Sequence, residues 1–443
     1  MTMKIGVMLW NVGVHPAAWR HPSAPLAAEI SLSFWIKLAK TAEAGKLDFI
    51  FRADTPNCGE GDQDAIARRV LGQFEPITLM SAIATATSHI GLAATASTSF
   101  AEPYNVARQF LSLDHLSGGR AAWNVVTSSA TAAALNFSQD KLEAHSRRYE
   151  RANEHVDIVR GLWDSWEQDA FVRDKETGVF YEAAKRHVLD HRGQFYSVRG
   201  PLDLPRSPQH RPIILNAGGS DAGMELAART ADVVFSVDRN LQKAKEFYRS
   251  LKARMAKYKR SPDDLKILCA INPYIGETAA EGQAKLDRLQ ELIQPAVGRD
   301  ILAADLGIDL KGLPLDEPIP AAVLPNSSNL TKSYFDNMVE VIQEQQPTLR
   351  QLYLACAGAR GGMNGIAGSS QMIADIMEEW FTAGAADGFM VRVPVLPDGL
   401  DDFVRLVVPE LQKRGHLRTE YEGRTLRENL GLPQPERLLP HPR

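Results

Sequence analysis

The chain has 443 residues, 44% of them hydrophobic, and its 50 Lys+Arg against 54 Asp+Glu leave a net charge of -4. That length and apolar content suit one large α/β barrel or two ordinary domains, and a near-neutral balance without blocks of like charge argues against nucleic acid or an anionic membrane as partner. No span of 18 uncharged apolar residues occurs, the start MTMKIGVMLW is too short for a signal sequence, and Cys58, Cys269 and Cys356 lack metal-ligand spacing, so the expectation is a cytoplasmic protein with reduced thiols and no metal site.

In chain order, Lys4 to Trp10 is a β-rich run that opens into a loop carrying His15-Pro16, Trp19, Arg20 and His21-Pro22. Ile30 to Gly45 has helical period, and Leu47 to Phe51 is a strand ending at Arg52-Ala53-Asp54, where Asp54 either caps a turn or hydrogen-bonds a ligand. Asn57 to Asp64 is Gly/Asp-rich and reads as a mobile loop. Pro76 to Thr87 is helical, and Ile90 to Ala96 is a strand ending in Ser97-Thr98-Ser99. Pro103 then suits the first turn of a helix that stops at Gly118-Gly119, and Ala121 to Val126 is a buried strand ending in Thr127-Ser128-Ser129. Two consecutive strands therefore end in hydroxyl clusters, at the carboxyl ends where α/β proteins bind ligands.

Arg147 to Trp166 reads as a long helix whose first turn brings His145, Arg148 and Tyr149 together, facing either a barrel mouth or solvent. Residues 167–211 lack helical period and read as a hairpin or loop excursion. Arg211 to Asn216 is a fifth strand running into Ala217-Gly218-Gly219-Ser220-Asp221 and a helix, an arrangement that lets backbone N–H groups converge on an anion. It is neither a Walker loop nor a dinucleotide fingerprint. Further strands are expected at 231–237, 265–275 and 387–391, with a mostly helical insertion over 277–355. Eight strands alternating with helices is the count of a (β/α)8 TIM barrel, read here as a single domain over 1–443 with insertions at its carboxyl-terminal face.

Taken together, the His15-Pro16 and Trp19-Arg20 loop, Phe51 to Asp54, Ser99 to Ser128, His145 with Arg148-Tyr149, Ala217 to Phe235 and Asp387-Gly388-Phe389 resemble the bacterial luciferase-like flavin monooxygenases, in the branch of the nitrilotriacetate, dibenzothiophene sulfone and long-chain alkane enzymes. The resemblance implies a barrel that binds reduced FMN and uses O₂ on a small organic substrate, cleaving C–S or C–N bonds or hydroxylating carbon. It places Ala53, Asp54, Asn124, Thr127 and Ser128 against the isoalloxazine and ribityl chain. Tyr149 with Gly218, Gly219 and Ser220 would take the phosphate, and His145 and Arg148 would border the pocket. Asn216 and Gly219 depart from the family's usual residues. His15 is the expected acid/base, against the reading of a backbone-bonded loop histidine; His145 is next, and Arg20 either grips an anionic substrate or pairs with a surface acid. A pocket lined by Trp10 and Trp19 would favour apolar or sulfur-containing substrates. With no pyridine-nucleotide motif, a separate NAD(P)H:FMN reductase is expected to supply the flavin, and the family implies a homodimer or homotetramer. A deazaflavin-dependent hydride-transfer enzyme and a non-catalytic flavin-binding protein are the competing readings.

Overall fold

The apolar runs become strands because each buries both faces, as parallel strands covered by helices must. In the computed structural model, which describes residues 2–59, 61–238, 240–324, 332–357 and 363–436, eight of them form the barrel: β1 (Lys4–Met8), β2 (Phe49–Arg52), β3 (Gly91–Ser97), β4 (Ala121–Val126), β5 (Ile213–Asn216), β6 (Val233–Ser236), β7 (Lys266–Gly276) and β8 (Gly388–Arg392). All neighbours are parallel, and the ring closes because β1 pairs with both β2 and β8, in register Gly6↔Phe49 and Lys4↔Gly388. Side chains of period two divide the barrel: Phe49, Phe51, Ala122, Leu215, Leu268 and Met390 fill its interior, while Ile50, Leu92, Trp123 and Val234 pack against the helical ring. Gly6 has no side chain because Phe49 fills its place; a Cβ there would lie 2.5 Å from the ring.

The floor of the barrel is sealed from below by the far end of the chain. Leu426, Leu430 and Leu432 join the interior cluster, and Gly91 admits Leu426, whose Cδ1 would stand 2.6 Å from a Cβ at that position. A ligand therefore has to enter at the carboxyl face.

One feature was not anticipated from the sequence. The strand β7 runs for 11 residues, whereas its pairing with β8 ends at Ile271↔Val391. Its overhanging Pro273 to Gly276 are taken by an additional outer strand, Met363–Ser369. The run MNGIAGS has too much Gly and Asn to signal a strand, and what fixes it is the overhang it completes. The stretch 277–355 contains four helices, Ala279–Glu291, Pro295–Leu306, Lys332–Gln345 and Leu349–Ala357. Their own core of Leu302, Leu306, Leu310, Leu349 and Tyr353 also takes in Ala17 from the loop after β1. The stretch 167–211 holds a short antiparallel ribbon, His191–Arg192 with Ser197–Val198. Among the described residues, no helix is long and apolar enough to cross a membrane, and no group of three or more His, Cys, Asp or Glu could hold a metal ion.

Candidate active site

Two adjoining cavities open at the carboxyl face. The first, of about 480 Å³, lies over β4 and β5 and is walled by Asp54, Thr127, Ser128, Arg148, Tyr149 and the turn Gly218 to Ser220, with His145 at its edge. The hydroxyl clusters that ended β3 and β4 in the sequence bond to each other here. Ser97 Oγ and Ser128 Oγ are 2.8 Å apart, and Ser99 Oγ donates to the Thr127 carbonyl at 2.8 Å. Ser128 takes a left-handed backbone, φ 44°, which costs a non-glycine residue free energy. The buried Arg148 holds it by donating from Nη1 to the Ser128 carbonyl, while Arg148 Nε is left without a partner.

At the other end of this cleft, backbone replaces side chain. Asn216 Oδ1 accepts from the Gly218 N–H at 2.7 Å, Ser220 Oγ caps the helix Asp221–Thr230 by accepting from Gly223 N–H at 3.1 Å, and Tyr149 Oη stands 3.5 Å from Ser220 Oγ. Gly218 and Gly223 pack backbone on backbone, since a Cβ on Gly218 would come within 2.8 Å of Gly223 Cα. By contrast, a Cβ on Gly219 would meet no atom within 4 Å. The Asp221 carboxylate, which could have repelled an anion, is held outside by Arg254 at 2.6 Å. A helix N-terminus with free N–H groups and no competing acid is suited to a phosphate.

Ala53 and Asn124, expected against the cofactor, are not among the walls of this cleft. Ala53 packs on the barrel interior. Asn124 is buried with its Nδ2 donating to Thr95 Oγ1 at 2.9 Å, and its Oδ1 has no partner. His145 begins the helix His145–Trp163 two residues earlier than its apolar period suggested, and its ring lies 4.8 Å from that of Tyr149.

The second cavity, of about 300 Å³, is formed by the loop after β1, the segment after β2 and the insertion, and it shares Thr55 and Asn57 with the first. His15, Trp10 and Trp19 line it. His15 is only 4% exposed, and burial pushes its imidazole down to about 4, the Gln290 side chain opposing weakly. Its Nδ1 accepts from the Ala17 N–H at 3.2 Å, so the proton sits on Nε2, the nitrogen left to meet the Gln290 side chain. The expectation of a group changing charge near neutrality is thus corrected: at pH 7 His15 is a neutral donor, because its loop is covered by the insertion.

Arg20 is not brought to either cavity. Its guanidinium donates to the Leu292 carbonyl and, with the Gln294 amide turned so that its oxygen faces the arginine, to Gln294 at 2.8 and 3.2 Å. Arg20 therefore ties the first loop to the insertion.

Sequence reasoning passed over Arg52, which is wholly buried. It donates to the Leu9 carbonyl at 2.8 Å and to Gln73 Oε1 at 2.9 Å, and it lies between the rings of Trp35 and Trp10, 4.8 and 5.7 Å from their centroids. Burial lowers it to about 10, with Asp54 opposing, so it remains a cation at neutral pH. An arginine at a strand's end followed by an acid was the available signal, but it reads equally as a surface pair.

The model of the family described as luciferase-like monooxygenase matches residues 11–386. The chain is 49% identical over 434 residues to N-acetyl-S-(2-succino)cysteine monooxygenase of Bacillus subtilis, covering 98% of this chain and 97% of that protein. It is 43% identical over 449 residues to nitrilotriacetate monooxygenase component A of Aminobacter aminovorans, covering 99% and 98%. A solved structure of riboflavin lyase with modified FMN and riboflavin superposes with a TM-score of 0.85 at 28% identity, covering 98% of this chain and 97% of that one. With the closed barrel and full-length matches to monooxygenases in hand, the chain belongs to the luciferase-like monooxygenase family and is a flavin-dependent monooxygenase.

Proposed function

We propose that this chain is the oxygenase of a two-component system: it takes reduced FMN from a separate NAD(P)H:FMN reductase and oxygenates a small organic substrate, with cleavage of a C–S or C–N bond. The observation that carries this reading is the common wall of Thr55 and Asn57 between the two cavities, which lets a flavin in one face a substrate in the other. The Gly219 and Ser220 N–H groups and Tyr149 Oη would hold the phosphate, and the Thr127 and Ser128 hydroxyls the ribityl chain. Bound reduced flavin supplies the two electrons with which one oxygen atom of O₂ enters the substrate and the other leaves as water. The chain's own part is to bind, to orient and to keep water from the shared wall. The names of the Bacillus and Aminobacter relatives, one a thioether and the other a tertiary amine, support a heteroatom-linked carbon as the point of attack, and "component A" supports a separate reductase.

The test supplies FMN, NADH, O₂ and a panel of thioethers, sulfones and aminopolycarboxylates, with and without a generic flavin reductase. Oxygenated product is expected only when the reductase is present, together with tighter binding of reduced than oxidised FMN. Fast NADH oxidation by the purified chain alone, or hydride transfer with a deazaflavin in place of FMN, would refute the proposal.

A further inference from the structure

Deepening that reading, and resting on it in taking the His15 cavity as the place of the substrate, we propose that this cavity selects a carboxylate-bearing substrate and that Arg69 is the residue that reads the carboxylate. Folding has buried several polar atoms here without a partner, a condition that costs free energy. Arg69 Nε, Asn57 Nδ2 and Asn11 Oδ1 are all in this state, and all three residues line this one cavity.

The chemistry of these atoms is not balanced. Arg69 Nε–H is a donor in every protonation state that matters. Asn57 Oδ1 accepts from the Gly59 N–H at 2.8 Å, which fixes the amide and leaves Nδ2 as the free donor. The His15 N–H is matched by the Gln290 side chain. Two donors thus stand against the single acceptor Asn11 Oδ1. Gln73, another wall residue, gives its Oε1 to Arg52, so its amide nitrogen adds a third N–H side to the cavity.

Charge points the same way. Arg69 is held through Nη2 by Asp300 of the insertion, which orients it and leaves Nε free. Arg52, beneath the wall, is bonded to a carbonyl and an amide rather than to a carboxylate. A carboxylate is a small group that presents several acceptor sites and a negative charge at once. Val70 and Ile301 supply apolar wall for the carbon or sulfur that joins the carboxylates.

The test is calorimetric titration of the full-length protein, with and without FMN, using N-acetyl-S-(2-succino)cysteine and its uncharged trimethyl ester as probes. The acid should bind at least about tenfold more tightly than the ester. Arg69→Gln should weaken the acid by about 10- to 100-fold, as expected for a lost charge-assisted bond, and leave the ester unchanged. Asp300→Asn, which frees Arg69 from its competitor and keeps an oxygen for the Asp62 N–H that Asp300 Oδ1 now accepts, should leave the acid's affinity equal or higher. Opposite signs distinguish a binding arginine from a structural one. The proposal is overturned if acid and ester bind alike, or if Arg69→Gln and Asp300→Asn weaken the acid equally. Should Arg69→Gln fail to fold, the acid/ester ratio of the unaltered protein and the Asp300→Asn arm still decide. FMN titrated in parallel separates the two readings: normal FMN binding without acid preference overturns this inference alone, and acid preference without FMN binding overturns the cofactor assignment alone.

Discussion

The two cavities at the barrel mouth are built of different material. The one over β4 and β5 is made from strand ends, a glycine turn and hydroxyls that bond one another, with Arg148 and Tyr149 reaching in from one helix. The one beside His15 is made from side chains contributed by three distant segments, the loop after β1, the segment after β2 and the insertion. Backbone-built sites change little when surface residues change, whereas side-chain-built sites can be rewritten one residue at a time. The difference teaches that a common cofactor and a particular substrate can be assigned to separate parts of one face.

Three measurements can break or sharpen that contrast. The largest effect is expected at Gly219, where a side chain enters open cleft without strain on the backbone. Gly219→Val should weaken FMN by about 100-fold or more, the worth of one or two hydrogen bonds to a charged group, and weaken riboflavin, which lacks the phosphate, by only a few-fold. Gly218→Val, which instead collides with Gly223, should weaken both. Equal losses of the two ligands in Gly219→Val would place the phosphate elsewhere.

Next is Arg52→Met, which keeps the bulk of the side chain between Trp10 and Trp35 but leaves the Leu9 carbonyl and Gln73 unbonded. It should cost about 2 kcal/mol in denaturant unfolding, and it should loosen the His15 cavity while FMN titration is unaffected. A loss of FMN affinity as large as the loss of stability would mean that the two cavities are not built independently.

Much of this was legible beforehand, and the residues say why. Thr127, Ser128 and Gly218 to Ser220, which wall one cleft, were singled out because a strand that ends in hydroxyls or glycines is a local pattern, visible within six positions. Arg69 was not, because its meaning depends on Asp300, which lies 231 positions away and meets it only through the insertion. His15 was expected to change charge near neutrality and is instead buried beside the second cavity, because its burial is set by helices of the insertion far along the chain. The outer strand Met363–Ser369 escaped for the same reason, since the overhang of β7 that recruits it has no local signature.

The third measurement has the smallest effect at neutral pH and shows as a slope only below it. His15 titrates at about 4 in the folded protein and near 6.5 when unfolded. Between those values the unfolded chain binds a proton that the folded one does not, so stability falls as pH drops from 6.5 to 4 and is complete above 6.5. His15→Asn should flatten unfolding free energy against pH by about 1.4 kcal/mol per pH unit within that window and change nothing above it. An unchanged slope would mean that His15 is charged when folded and that its cavity is wetter than its 4% exposure indicates.

The closure of β1 on β8 also sets a schedule. Lys4 cannot meet Gly388 until almost 400 residues have been synthesised, and Leu426 to Leu432, which seal the floor, come later still. At the usual pace of about 5 to 20 residues per second, β1 waits roughly 20 to 80 s on the ribosome with one edge unpaired. A sheet edge left open in that interval would pair readily with other chains. Yield in a cell should therefore depend on chaperones that cover the half-barrel, even though the finished molecule leaves neither edge of β1 free.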